Sequence, residues 1–169
     1  MKRLWAPWRS SYIKESDKAV NNECVFCIKE QNDKDRENLI LKRGYNSFVI
    51  MNIYPYNPGH IMIVPYTHTG AIEHIDNQTF LEMKGFLDVT ISILENQMKA
   101  QGFNIGFNIG RSAGAGIENH VHMHVVPRWN GDTNFMPVLG ETKVISMDIY
   151  EIYDELYPYY NKYETMEEK

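Results

Sequence analysis

The chain has 169 residues, room for one domain with a sizeable core plus short arms. Hydrophobic residues make up 43% and charged residues 23%, which excludes global disorder. Lys and Arg number 17 against 22 Asp and Glu, a net charge of −5. That argues against a nucleic-acid polymer as partner, yet not against a small phosphate-bearing ligand in a pocket with its own local field.

The N-terminal stretch has Lys2 and Arg3 but no apolar run behind them, so no secretory signal is read there. Apolar runs throughout are far shorter than the roughly 18 residues a membrane helix needs, so no membrane association is expected and the cytoplasm is the expected compartment. The expected organisation is a single domain: an aromatic arm over 1–23 (Trp5, Trp8, Tyr12), a core over 24–130, and a C-terminal extension over 131–169. The region ahead of Leu39 reads as irregular. Within it, Cys24 and Cys27 form a C-x-x-C pair, which without an export signal points to metal or redox chemistry rather than a disulfide framework.

Three short apolar runs follow, Leu39–Lys42, Ser47–Met51 and Ile61–Pro65, each bounded by Gly, Pro or Asn as strands are. The segment from Asn52 to Gly59 carries Pro55 and Pro58 and predicts a loop of fixed shape. Phe80, Met83, Leu87, Ile91, Leu94 and Met98 step by three and four, predicting a helix over 77–101. Asp76 or Asn77 would cap it, and Gly102 would take the left-handed position beyond its end. His74 is expected in a short exposed helix. A second helix is predicted from Met147 to Tyr157, with Ser146 as cap and Pro158 as its stop.

Between the helices, two segments alternate strictly. Over 103–109 the odd positions are apolar and the even ones are Asn104, Gly106 and Asn108. Over 120–125 the even positions are His120, His122 and His124. Strand side chains alternate between faces, so each segment has one core face and one face of uncharged polar groups. The predicted fold class is α+β: an antiparallel sheet of about five strands, one long helix and a C-terminal helix. Three His in register point either to a metal centre using all three imidazoles or to nucleophilic catalysis by a neutral imidazole at phosphorus.

His120-Val-His-Met-His124-Val-Val-Pro-Arg128 resembles the motif of the histidine-triad (HIT) family, and Asn57-Pro-Gly-His60-Ile-Met-Ile-Val-Pro65 resembles its Pro-Gly-His strand. Arg3-Leu-Trp-Ala-Pro-Trp8 and the stretch from Pro127 to Pro137 resemble the bacterial branch that processes diadenosine tetraphosphate. The resemblance implies an enzyme that cleaves dinucleoside polyphosphates by phosphorolysis or hydrolysis through a nucleotidyl-histidine. His122 would be the nucleophile, His124 a phosphate contact, His120 the third triad member and His60 a support beside them. Asn52 would hold the ribose, Ile53 would border the base, and Asn108, Gly114 and Gly116 would meet the phosphates. Gly116 departs from the family pattern, which has Gln or Ser there, and this leaves the second acceptor, water or inorganic phosphate, open. Arg111 is a further phosphate candidate.

The resemblance also implies a structural zinc on Cys24, Cys27, His68 and His120, no organic cofactor, and a homodimer, with the aromatic arm and the Tyr-rich tail after Tyr150 as candidate subunit contacts. A nucleoside phosphoramidase or nucleotidyltransferase, a non-catalytic nucleotide sensor and a metallohydrolase are the competing readings.

Overall fold

The computed structural model describes residues 24–31, 33–133 and 147–163. Along the chain these form α1 (Val25–Glu30), α2 (Asp35–Asn38), β1 (Ile40–Arg43), β2 (Ser47–Met51), β3 (Ile61–Pro65), α3 (Asn77–Met98), β4 (Gly102–Phe107), β5 (Met123–Arg128) and α4 (Ile149–Asn161), with short 3₁₀ turns at Ile72–His74 and Arg111–Ala113. The five strands make one antiparallel sheet in the order β1-β2-β3-β5-β4. The expected α+β class holds, and His74 sits exposed in its short turn. The aromatic arm and Ser146 fall outside the described residues.

The central strands read as unbroken apolar runs because both sheet faces are covered. On one face Val49, Met51, Ile61, Ile63, Met123 and Val125 meet Met83, Phe86 and Leu94 of α3 and Ile152, Tyr153 and Leu156 of α4. On the other, Phe48, Ile50, Met62 and Val64 are covered by Phe26 of α1 and half-buried Ile117. Full burial of a side chain such as Phe48 or Phe86 contributes about 1.5–3 kcal/mol. Of the irregular region expected ahead of Leu39, the described residues hold two short helices, and α1 opens directly after Cys24.

Three helix expectations are corrected. Helix α3 is capped by Asp76, whose side chain accepts from the Thr79 N–H, but it ends at Met98 with Lys99 itself left-handed (φ 55°), while Gly102 opens β4. Its buried stripe is Thr79, Met83, Phe86, Thr90, Ile93 and Leu94, rotated from the expected one. Phe80 is left exposed, because α4 packs beside α3 and draws Thr90 inward, where Tyr160 donates to its hydroxyl at 2.9 Å. Helix α4 starts at Ile149, capped by Asp148, and runs through Pro158 to Asn161. Proline there costs one backbone bond, but buried Leu156 and Tyr160 hold the turns on either side. The Tyr-rich tail is partly core: Tyr153 and Tyr160 are buried, and Tyr153 donates to the Ile40 carbonyl at 2.9 Å.

Candidate active site

The ladders end one step short of the motifs. β4 pairs with β5 up to Phe107 opposite Met123, so Asn108, His120 and His122 lie just beyond the strands expected to carry them. The chain departs into the glycine-containing loop there, and Gly114 adopts a left-handed conformation (φ 88°) to close its turn. The polar face is also not solvated. His60, His120, His122 and His124 are all buried, under a second layer in which the Phe26 ring lies 5.3 Å from that of His120 and 5.0 Å from that of His122.

Each buried imidazole has a defined partner. His122 Nδ1 lies 2.8 Å from the His120 carbonyl, which can only accept, so Nδ1 carries the hydrogen and Nε2 keeps a lone pair. Burial, the dominant influence, lowers the pKa of His122 and favours the neutral ring. The Tyr56 N–H donates to His60 Nδ1 at 3.0 Å, and Asn52 Nδ2 lies 3.3 Å from the same nitrogen. His60 Nε2–H therefore donates to His124 Nδ1 at 3.0 Å. That puts the His124 hydrogen on Nε2, which lies 3.3 Å from Asn108 Nδ2; the Asn108 amide accepts it only with its oxygen turned to the ring. A row of backbone and side-chain bonds thus sets the tautomers from Tyr56 to His124.

His120 faces elsewhere. Its Nε2–H donates to the Pro65 carbonyl at 2.8 Å, and its Nδ1 points at Cys24 Sγ (3.2 Å) and Cys27 Sγ (3.6 Å). Cys27 Sγ is also 3.3 Å from His68 Nδ1. The ligand atoms of Cys24, Cys27, His68 and His120 all lie within 4.8 Å of one another, the spacing of a tetrahedral Cys₂His₂ site. Burial alone would raise the Cys24 thiol, but the His120 hydrogen bond and the backbone N–H groups of Cys27 and Phe26 bring it down to about 6. Burial and then the neighbouring Cys24 charge push Cys27 up to about 11. A dication between the sulfurs would relieve that repulsion, so the donor set fits a metal. The three triad rings, by contrast, turn to three different partners, which removes the reading of one metal on all three. The C-x-x-C does open a helix, as redox pairs do, yet it faces two imidazoles and sits outside any βαβ unit.

The remaining expected residues are spread around this core. Asn52 accepts the Tyr54 N–H through its own Oδ1 at 2.9 Å, which shapes the loop as well as steadying His60. Ile53 is 49% exposed on the same loop. Asn52, Ile53 and His60 border a gap of about 180 Å³ against Met147, Ile149 and Ile152, a gap that touches no triad residue. Gly114 and Gly116 are half-buried in the loop leading to His120, and Arg111 lies 3.8 Å from Glu118 on its exposed side. Sequence reasoning missed Phe26, Tyr56 and the Arg128–Asp132 pair. Phe26 was visible only as the middle of the cysteine motif, and Arg128 only as the end of the triad motif. Tyr56 had no periodic signal, lying between two prolines.

A HIT domain model matches residues 34–131. The chain is 37% identical over 150 residues to the AP-4-A phosphorylase of Mycobacterium tuberculosis, covering 86% of this chain and 77% of that protein. It is 27% identical over 82 residues to a bis(5'-adenosyl)-triphosphatase of Dictyostelium discoideum, covering 48% of this chain and 54% of that one. Among solved structures, a Zn-bound histidine triad family protein from Mycobacterium smegmatis superposes with a TM-score of 0.66 at 26% identity, covering 83% of this chain and 94% of that one. With the triad, the Pro-Gly-His strand and the five-stranded sheet all in place, the chain belongs to the HIT family.

Proposed function

We propose that the protein cleaves dinucleoside polyphosphates, diadenosine tetraphosphate foremost, through a nucleotidyl-His122 intermediate. The observation that carries this reading is the 2.8 Å bond from His122 Nδ1 to the His120 carbonyl, which presents Nε2 as the lone-pair nitrogen. In the first step Nε2 attacks the α-phosphorus. A P–N bond forms, the bridging P–O bond breaks, and its electron pair leaves on the terminal oxygen of a nucleoside triphosphate. The ring becomes cationic, and the His120 carbonyl then accepts a stronger bond from Nδ1–H. The His124 Nε2–H, held in that tautomer through His60, donates to a phosphate oxygen, with the Asn108 amide beside it. In the second step an acceptor oxygen forms the new P–O bond, and the P–N pair returns to Nε2.

The similarity to a phosphorylase favours inorganic phosphate over water as the acceptor. Product analysis with and without phosphate tests the scheme. ADP plus ATP appearing only with phosphate marks phosphorolysis, AMP plus ATP marks hydrolysis, and no nucleotide product in either case overturns the reading. Asn52 and Ile53 serve the nucleoside that stays on the enzyme, and Gly114 and Gly116 leave room for its phosphate.

Cys24, Cys27, His68 and His120 hold a structural zinc in this proposal. Bound there, zinc ties α1 and the start of the triad together and supplies no chemistry to the reaction. His120 spans both functions, since its Nδ1 faces the cysteines while its carbonyl orients His122. The reduced thiols such a site needs suit the cytoplasm. Strand β4 is an outer strand carrying exposed Ile105 (45%), and exposed Phe80 stacks 6.4 Å from Phe107. An apolar outer strand of this kind supports a homodimer.

A further inference from the structure

A cavity of about 380 Å³ is bordered on one side by His124 and Asn108, and the scheme above uses those two residues but none of its other walls. Its walls come from three elements: Asn104 and Gly106 of β4, Arg128 at the end of β5, and Tyr56 of the loop before β3. Tyr56 spans the join between this cavity and the reacting groups. Its ring lies 4.6 Å from that of His60 and stacks 5.9 Å from that of His124, at 24° to it, while 39% of the residue stays exposed. An aromatic face in that position suits a heterocyclic base.

Arg128 is fixed with unusual care for a side chain 44% exposed. Its Nε and Nη2 donate to the two oxygens of Asp132 at 2.6 and 2.9 Å, and its Nη1 donates to Asn104 Oδ1 at 2.6 Å. Asp132 is itself held by Asn57 Nδ2 at 2.8 Å and by the Trp129 N–H. A guanidinium has five N–H donors, and these bonds use three. The remaining two sit on a planar group that cannot swing away, the arrangement that recognises phosphate oxygens.

We infer that this cavity is the subsite for the leaving nucleotide, taking the second base on Tyr56 and the distal phosphates on Arg128. The inference rests on the reading of His122 as nucleophile and deepens it. It makes the enzyme selective for substrates with a nucleoside at both ends, because a mononucleotide with a small leaving group reaches His122 but leaves Tyr56 and Arg128 unused. Binding energy from the remote half is then available to the reacting phosphorus.

The test compares diadenosine tetraphosphate with adenosine 5′-phosphorofluoridate, which delivers the same adenylyl group to His122 while only fluoride leaves. The measured quantity is the ratio of kcat/KM for the two substrates, in the wild type and in Tyr56→Leu, Asn104→Ala and Arg128→Gln. We expect the ratio to fall about tenfold in Arg128→Gln, the size of a lost charge-assisted contact, and several-fold in Tyr56→Leu. An unchanged ratio overturns the inference, whether both activities stay high or both fall together, since the residues then only steady the fold or the triad. If the fluoridate fails to adenylate the wild type, the reading of His122 fails instead. The cavity is then decided by affinity alone for a methylene-bridged diadenosine tetraphosphate. Weaker binding of that analogue in Arg128→Gln, with AMP binding retained, supports the subsite, and equal loss for both ligands refutes it.

Discussion

The backbone oxygen of His120 lies 2.8 Å from Nδ1 of His122, while the His120 ring faces the cysteine pair with Nδ1 3.2 Å from Cys24 Sγ. One residue thus connects the tautomer of His122 to the proposed metal cluster, and the two can be separated by experiment.

Replacing the proposed nucleophile is the first step. His122→Asn removes the attacking nitrogen and retains a polar side chain of smaller volume. Turnover of diadenosine tetraphosphate should fall by at least about a thousandfold, with AMP affinity within a few-fold of wild type. Near-normal turnover in this variant would falsify the covalent scheme.

Metal content follows from the Cys₂His₂ spacing. Purified protein should carry one zinc per chain by elemental analysis, and Cys24→Ser should lose it. Extraction with a strong chelator should lower the melting temperature well before it removes nucleotide binding, because the proposed zinc would hold α1 against the triad. A chain that purifies metal-free, with unchanged melting after chelation, would show the four residues to be inert.

His60→Ala probes a positioning role. It leaves His124 Nδ1 without its donor, so the tautomer at Nε2 is no longer set. kcat should drop about 10- to 100-fold, by analogy with groups that orient a ligand imidazole, while KM changes little. His60→Gln, which can still donate, should recover part of the loss. A rise in KM alone would instead mean that His60 acts on substrate binding.

The Arg128–Asp132 pair sets a pH dependence of stability. The Arg128 hydrogen bonds, opposed by burial and helped by the Trp129 N–H and Asn57, hold the Asp132 carboxyl well below the usual range. Because the folded-state pKa is depressed, the stabilisation is complete above the unfolded value of about 3.9 and fades as pH falls toward the folded one. Wild type should therefore melt above Asp132→Asn near neutral pH, and the two curves should converge only in strong acid. A constant gap down to the acid limit would show that packing, and not charge, accounts for the difference.

Tyr160→Phe tests how the C-terminal helix is held. Tyr160 is fully buried and donates to Thr90 Oγ1, so removing the hydroxyl strands a buried polar atom. The expected cost is about 1–3 kcal/mol, read by denaturant unfolding, with the activity of the folded enzyme unchanged.

Much of this was legible beforehand where a local period carried it. The runs at 47–51 and 61–65 are strands with the expected bounds, since unbroken apolar stretches of that length suit a sheet covered on both faces. Of the two expected capping residues, Asp76 is the cap, its side chain accepting from the Thr79 N–H. Periodicity failed where neighbours decided the outcome. The α3 stripe turned toward Thr90 because Tyr160, seventy residues on, offers it a hydrogen bond. Helix α4 continued past Pro158 because flanking side chains were buried. The C-x-x-C gave no sign of opening a helix, whose Phe26 caps the histidine face.

Residue order alone determined that three imidazoles alternate with apolar side chains, that a Pro-Gly-His turn precedes a strand, and that two cysteines stand three positions apart. These are short-range patterns, and strand alternation converts them directly into faces. Which nitrogen carries the hydrogen on His120 and on His124 was decided by tertiary structure, since the Pro65 carbonyl and His60 reach those rings from a neighbouring strand and the turn before it. The same is true of the Cys₂His₂ cluster and of the cavity between Tyr56 and Arg128. Both depend on distances across the sheet, and no local spacing encodes them.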